Sequence, residues 1–194
     1  GLLDHLGIAS CVLVGHSYGG HGALRAATGT DRFRAVIASA GYADLSRVYA
    51  LTPHFLVSPD DGVPLNALAG WAETGQGAIG ASLPVHPGAY IDNSPVYLAE
   101  HLRTPTLLIE GDLDPAGGDV LFGALYRLDR EAALITYAGE GHVFVSPANL
   151  RDLHARILDW LDRYVRPADV VDARLPVSRP DLQDGADQQP VVAW

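Results

Sequence analysis

One serine in this sequence stands in a setting that suits a nucleophile. Gly15–His16–Ser17–Tyr18–Gly19 has the pattern Gly-x-Ser-x-Gly, with an apolar run before it and a run rich in small residues after it. This pattern predicts a strand, a sharp turn and a helix, with the Ser17 hydroxyl exposed at the turn. The glycines let strand and helix approach closely, and a helix N-terminus favours developing negative charge. The motif also arises by chance in Gly-rich chains, but its flanking elements favour the nucleophile interpretation.

A serine hydroxyl is a weak nucleophile unless a base, itself oriented by an acid, lies within hydrogen-bond reach. Asp114 follows an apolar run that ends at Glu110, and His142 follows the apolar run Ala132–Tyr137. If these runs and the one before Ser17 are parallel strands, their carboxyl ends meet at one edge of a sheet. We therefore expect Ser17, Asp114 and His142 to converge, in the chain order serine, acid, histidine.

The hypothesis gives each residue a role. Ser17 attacks a carbonyl carbon, His142 takes the hydroxyl proton and later gives it to the leaving group, and Asp114 orients the imidazole. The backbone N–H of Tyr18, which follows the nucleophile, is predicted to donate to the oxyanion.

Simpler interpretations exist for the same positions. Asp114 precedes Pro115 and could be a turn former, and Asp112 competes for the role of the acid. His142 could be a structural loop histidine. His16 adjoins Ser17, but we expect its ring to point to the other side of the turn and to pack there.

The elements that must position these residues alternate between strand and helix. This alternation predicts an α/β fold, a mostly parallel sheet with helices on both faces. Residues 40–92, rich in Pro and Gly, are expected to form short helices and a lobe over the site. In the last helix, one apolar face is predicted to hold Leu150, Leu153, Ile157, Leu158 and Leu161. The predicted strands are 10–14, 33–39, 106–110 and 132–137, and the main predicted helices are 18–27, 94–101, 119–128 and 147–164.

Composition narrows the possible functions. The chain has 194 residues and a formal net charge of −10, which argues against a nucleic-acid partner. No apolar run reaches membrane-spanning length, and the histidines His21, His54, His86 and His101 lack the spacing of metal ligands. Cys11 is the only cysteine, so no intramolecular disulfide can form. We therefore expect neither a metal site nor a membrane partner.

Two domains of unequal character are expected. Residues 1–166 read as one globular unit, whereas residues 167–194 combine prolines, glutamines and an excess of Asp, which predicts a disordered acidic tail. The sequence contains no methionine and opens in what resembles the end of a helix. We expect it to be the C-terminal portion of a longer protein, either a fragment or a processed piece.

Taken together, the motifs resemble those of the prolyl oligopeptidase family of serine peptidases, over roughly residues 1–165. The joint set of motifs is far more specific than the serine turn alone. The matching pieces are Gly15–Gly20, Glu73–Gly77, Asn93–Pro95, Thr104–Ile109, Gly111–Asp114 and Gly139–His142.

The resemblance implies the C-terminal part of an α/β-hydrolase, with Ser17, Asp114 and His142 as the catalytic triad and no cofactor. It implies an enzyme that cleaves short peptides through an acyl-enzyme, usually behind an N-terminal β-propeller. The upstream strands that carry the family's second oxyanion donor are absent from this sequence. Ala116 and Gly117 stand where many relatives have Asn and Val after the acid, which argues against dipeptidyl-peptidase-type recognition of a free amine.

Two alternatives accompany this expectation. A carboxylic-ester hydrolase would use the same triad on a small ester substrate. An inactive half-domain would need its missing upstream segment before it could act. Glu73, in the stretch Glu73–Gly77, is either a solvated charge or a substrate contact.

Overall fold

The computed structural model describes residues 1–50, 67–114 and 117–165. Its framework is a sheet of four parallel strands in the order β1-β2-β3-β4, so each strand pairs with its neighbour in the sequence. The strands are β1 (Cys11–His16), β2 (Phe33–Ser39), β3 (Thr106–Gly111) and β4 (Ala132–Tyr137).

Seven α-helices and one 3₁₀ helix are present within the described residues. Where helix 94–101 was expected, the chain forms the 3₁₀ helix Pro95–His101. Among the described residues, no helix combines the length and the apolar character needed to cross a membrane. The α-helices are α1 (Leu2–His5), α2 (Tyr18–Ala27), α3 (Leu45–Ala50), α4 (Ala67–Glu73), α5 (Pro87–Asn93), α6 (Gly118–Arg127) and α7 (Pro147–Tyr164).

Helices cover both faces of the sheet. Successive residues of a strand point to opposite faces, so each face presents apolar side chains that a helix can bury. On β2, Val36 and Ala38 pack with the apolar residues of α2 and α6. Ala35 and Ile37, which alternate with them, face α7 on the other side. β3 is therefore buried along its whole length and β2 is buried through its middle, as the inner strands of a parallel sheet are. The predicted α/β class, with helices on both faces, is confirmed.

The last helix differs from its prediction in one residue. Leu150, Leu153, Ile157 and Leu161 pack against the sheet as expected. Leu158, however, is 60% exposed, so the prediction that it shares this face is wrong. Leu158 lies about 80° around the helix from Leu150, which turns it away from the sheet. The large side chain that α7 buries is Trp160 instead.

Two predictions fall on residues outside the described ranges. The disordered tail, residues 167–194, lies there, so the domain boundary at residue 166 stays a prediction. Of the irregular stretch 40–92, residues 51–66 also lie there, and the remainder contains α3, α4 and α5. A third apolar cluster joins these helices through Tyr42, Leu45, Val48, Ala72 and Tyr90, near the carboxyl edge of the sheet.

Candidate active site

Ser17 lies at a strained turn between β1 and α2. Its φ of 58° and ψ of −125° place a residue with a side chain in backbone space that such residues rarely occupy. The turn is fixed on both sides: the Ser17 N–H donates to the Ser39 carbonyl at 2.9 Å, and the Ser17 carbonyl accepts from the His21 N–H at 3.0 Å. Any Cβ at Gly15 would collide with the backbone of Gly19 and come within 2.7 Å of the Gly20 nitrogen. Strand and helix thus meet here at backbone distance, and the Ser17 side chain is held at the tip.

The structure brings Ser17, Asp114 and His142 together. His142 Nε2 lies 2.8 Å from Ser17 Oγ, and His142 Nδ1 lies 2.6 Å from Asp114 Oδ2. The three residues follow β1, β3 and β4, so they come from the carboxyl ends of three parallel strands. With the imidazole proton on Nδ1, that N–H donates to Asp114 and Nε2 accepts from the Ser17 hydroxyl. This is the geometry that general-base activation of a serine requires.

The electrostatics at His142 also suit a base. The hydrogen bond with Asp114 raises the pKa of His142, the carboxylate charge raises it further, and partial burial opposes both. Asp114 itself is only 5% exposed, so its carboxylate is shielded from water. An imidazolium formed during a reaction would therefore be stabilised in place.

Asp112, the competing acid, has another partner. Its Oδ1 accepts the backbone N–H of Gly139 at 2.8 Å, so this carboxylate links the loops after β3 and β4. The loops are also joined by backbone hydrogen bonds from Asp112 N to Tyr137 O and from Leu113 N to Glu140 O, both 3.1 Å. Asp112 thus holds the loops together, and Asp114 is the carboxylate that faces the imidazole.

The backbone N–H of Tyr18 is available to a developing oxyanion. Tyr18 is the first residue of α2, so its N–H precedes the helical hydrogen-bond ladder. The N-terminal end of the helix dipole adds positive potential at the same place. Its role as an oxyanion donor stays a prediction.

The prediction that His16 points away from the site is wrong. The His16 ring lies 5.1 Å from the His142 ring, and its Nδ1 is 3.4 Å from Ser39 Oγ. Burial and the nearby charge of His142 lower the pKa of His16, and Asp114 acts weakly in the opposite direction. The His16 ring therefore borders the site next to His142. Because its pKa is lowered, the ring is neutral at neutral pH.

An aromatic wall borders Ser17, Asp114 and His142, and most of it could not be found from the sequence. The Tyr42 ring stacks on His142 with centroids 6.0 Å apart and lies 4.8 Å from Trp71. Trp71 in turn meets Tyr18 edge-on at 5.7 Å. Tyr42 is buried, which raises its pKa, as does the charge of Asp114, while a hydrogen bond with the Ser17 side chain lowers it. Tyr42 and Trp71 sit in or beside short helices without clear periodicity, so only their aromatic character could have drawn attention to them.

The stretch Glu73–Gly77 forms the turn that ends α4. A Cβ at Gly75 or Gly77 would press on the backbone of Trp71 and Ala72, which explains these glycines by close packing. Gln76 Oε1 accepts the indole N–H of Trp71 at 3.1 Å. The Glu73 carbonyl accepts the Gly80 N–H at 2.8 Å. The stretch thus positions Trp71, while a substrate contact by Glu73 stays a hypothesis.

The other histidines with described environments serve as structural residues or lie at the surface. His21 is buried, and its Nδ1 lies 2.7 Å from the Tyr42 carbonyl oxygen. His101 pairs with Glu100 at the surface. Within residues 1–50, 67–114 and 117–165, no three His, Cys, Asp or Glu side chains gather as a metal ion would require.

A family model relates the chain to known proteins. The model of the prolyl oligopeptidase family matches residues 6–168. Comparison with curated proteins gave no match.

Peptidases are among the solved structures of similar fold. An acylaminoacyl peptidase from Pyrococcus horikoshii superposes with a TM-score of 0.67 at 20% identity, covering 84% of this chain and 26% of its own. A Mycobacterium tuberculosis puromycin-hydrolyzing peptidase gives 0.65 at 25% identity, covering 84% of this chain and 24% of its own. A Porphyromonas gingivalis dipeptidyl peptidase 4 gives 0.59 at 19% identity, covering 79% and 19%. The chain thus spans about a quarter or less of the length of these structures.

Proposed function

Because the chain belongs to the prolyl oligopeptidase family, we propose that it carries the catalytic centre of a serine hydrolase that cleaves peptide bonds of short peptides. The observation that supports this most directly is the hydrogen-bonded series from Ser17 through His142 to Asp114, with distances of 2.8 and 2.6 Å. The peptidase names of the similar solved structures agree with this chemistry.

The proposed reaction passes through an acyl-enzyme. Ser17 Oγ attacks the carbonyl carbon as its proton passes to His142 Nε2, and the carbonyl oxygen takes up negative charge. The Tyr18 N–H and the start of α2 stabilise that charge, while Asp114 stabilises the imidazolium. His142 then gives its proton to the leaving nitrogen, and the C–N bond breaks. Water, activated by the same imidazole, hydrolyses the acyl-serine and restores the hydroxyl.

The wall of Tyr18, Tyr42 and Trp71 supports an apolar substrate side chain next to the scissile bond. The Tyr42 ring adjoins His142, Trp71 adjoins Tyr42, and Tyr18 adjoins Trp71, at centroid distances between 4.8 and 6.0 Å. A flat apolar group gains both buried area and favourable ring contacts against such a surface. Short peptides with an apolar or aromatic residue on the acyl side are therefore the proposed substrate class.

The test of the proposed nucleophile is covalent labelling with a fluorophosphonate. The folded chain should gain one adduct, located at Ser17 by peptide mass spectrometry, and Ser17→Ala should gain none. Ser10→Ala, which removes a hydroxyl from the residue before β1, is the matched control and should label like the parent. A folded chain that stays unlabelled, both alone and with an upstream segment attached, would refute the proposal.

An esterase on the same residues is a second candidate, because acyl-serine chemistry is common to both bond types. A pair of substrates with one acyl group, a p-nitroanilide and a p-nitrophenyl ester, separates them. Turnover of both indicates a peptidase, since amides are the harder substrates. Turnover of the ester alone indicates an esterase and contradicts the peptide-bond proposal.

A third candidate is a half-domain that needs an upstream segment, and two observations favour it. Within the described residues β1 pairs only with β2, which leaves one edge of β1 unpaired. The chain also spans only a quarter of the matched acylaminoacyl peptidase. Loss of one oxyanion donor costs roughly 100- to 1,000-fold in rate. Labelling of Ser17 only when an upstream segment is attached would support this candidate.

A further inference from the structure

A buried carboxylate lies directly behind the loop that carries His142. Glu140 is 1% exposed. Its Oε2 accepts the backbone N–H of Val145 at 2.8 Å, and its Oε1 accepts the N–H of Ser146 at 3.0 Å and the side-chain N–H of Asn149 at 2.7 Å. These hydrogen bonds, that from Val145 first, lower the pKa of Glu140. At neutral pH, a charged carboxylate therefore pins the chain after His142 to the start of α7.

The backbone of the same residue holds the loop that carries Asp114. The Glu140 carbonyl accepts the N–H of Leu113, the neighbour of Asp114, at 3.1 Å. The close approach extends to Gly111, where a Cβ would collide with this carbonyl. Glu140 therefore contacts both loops, the acid loop through its carbonyl and the histidine loop through its side chain.

We propose that Glu140 is a positioning residue that sets the distance between Asp114 and His142. This inference rests on the proposed function, since it assigns Glu140 a part in the same site. His142 is only two residues from Glu140 in the chain. It lies between Glu140 and the residues Val145 and Ser146, whose backbone N–H groups the Glu140 side chain binds. Loss of the side-chain anchor frees the segment 141–146, so the imidazole can drift from both the carboxylate and the serine. A displacement of about 1 Å at such a group can cost about 100-fold in rate.

The variant that tests the anchor is Glu140→Gln. The amide keeps the size but places an N–H₂ group where one acceptor oxygen stood, facing backbone donors. Asn149→Ala is the second variant: it removes one of the three hydrogen bonds and leaves the Glu140 charge in place. Asp152→Asn is the matched control: Asp152 is a carboxylate on α7 that accepts hydrogen bonds from the Tyr137 hydroxyl, at the end of β4, and from Arg156, and not from the backbone of segment 141–146.

Two measurements on the full chain are needed. Fluorophosphonate labelling reports reactivity, and histidine-ring NMR titration, assigned with His142→Gln, reports the pKa of His142. The groups that contact the His142 ring, namely Asp114, His16, Ser17 and Tyr42, are unchanged in both test variants and in the control. We expect labelling to slow about 10- to 100-fold in Glu140→Gln and by a smaller factor in Asn149→Ala. We expect the raised pKa of His142 to fall in both, because the hydrogen bond with Asp114 lengthens.

The outcomes separate this inference from the proposed function. Unchanged labelling and an unchanged His142 pKa in folded Glu140→Gln would overturn the positioning role while leaving the nucleophile intact. If Glu140→Gln fails to fold, Asn149→Ala decides by the same two measurements. If the parent chain is never labelled but the His142 pKa still falls in the variants and not in Asp152→Asn, the positioning role stands and the hydrolase proposal fails.

Discussion

At the scale of single residues, the turn at Ser17 depends on the absence of side chains around it. Ser17 adopts a positive φ, and the backbone of Gly19 lies against Gly15. The strain persists because hydrogen bonds to Ser39 and His21 fix both sides of the residue. Reactivity at Ser17 is therefore sensitive to any added atom on the inner side of this turn.

A pair of glycine substitutions tests this sensitivity. Gly15→Ala forces its methyl group into the Gly19 backbone, so we expect the turn to shift and Ser17 labelling to fall at least 100-fold. Gly22→Ala is the control, since a Cβ there meets no atom within 4 Å. It should label normally and raise the free energy of unfolding by about 0.5–1 kcal/mol, measured by urea denaturation, because Ala favours α2. Equal labelling by Gly15→Ala would contradict the prediction.

The pH dependence of the site follows from the His142 pKa. The base must be neutral, so the rate rises as pH increases through that pKa, which hydrogen bonding to Asp114 holds above the ordinary value for histidine. Asp114→Asn removes both that hydrogen bond and the charge. We expect the midpoint of the pH–rate profile to move to lower pH and the plateau rate to drop about 10,000-fold. A slower variant with an unmoved midpoint would show that Asp114 does not set this pKa.

At the scale of elements, the part of the site that follows strand ends could be predicted from sequence. Buried parallel strands are apolar runs, and their carboxyl ends share one edge, which is enough to bring Ser17, Asp114 and His142 close together. The orientation of His16 could not be predicted, because it depends on the backbone torsion angles of the turn. The contacts of Glu140 depend on how α7 meets the loop before it, and no local pattern encodes that placement.

Helix α4 contributes Trp71 to the aromatic wall, and a substitution there tests the proposed substrate contact. We expect Trp71→Ala to raise KM about tenfold for substrates with an aromatic acyl-side residue, because the wall beside Tyr42 loses its outer ring. Trp71→Phe keeps a ring and should retain most of the affinity. Steady-state kinetics with aromatic and glycyl p-nitroanilides give the comparison. An equal KM change for both substrates would argue against a side-chain contact at this wall.

At the scale of the whole molecule, the unpaired edges of the sheet determine how the chain can associate with another strand. Within the described residues, β1 and β4 each pair with one strand only. β1 is the more vulnerable edge, since it also carries Val14, which is 61% exposed. An unpaired strand with exposed apolar side chains is a template for pairing with another chain. An additional strand, from the same chain or from a second copy, would therefore form the most new hydrogen bonds and apolar contacts along β1, beside Ser17.

This geometry predicts that the 194-residue chain self-associates in solution through β1. Val14→Lys places a charge on that strand and should shift the sedimentation-velocity profile toward monomer at micromolar concentration. Leu158→Lys is the matched control, because Leu158 is equally exposed, at 60%, but lies on α7. It should leave association unchanged. A parent chain that sediments as a monomer at about 100 μM would contradict the prediction, and equal effects of the two lysines would indicate general apolar contact instead of strand pairing.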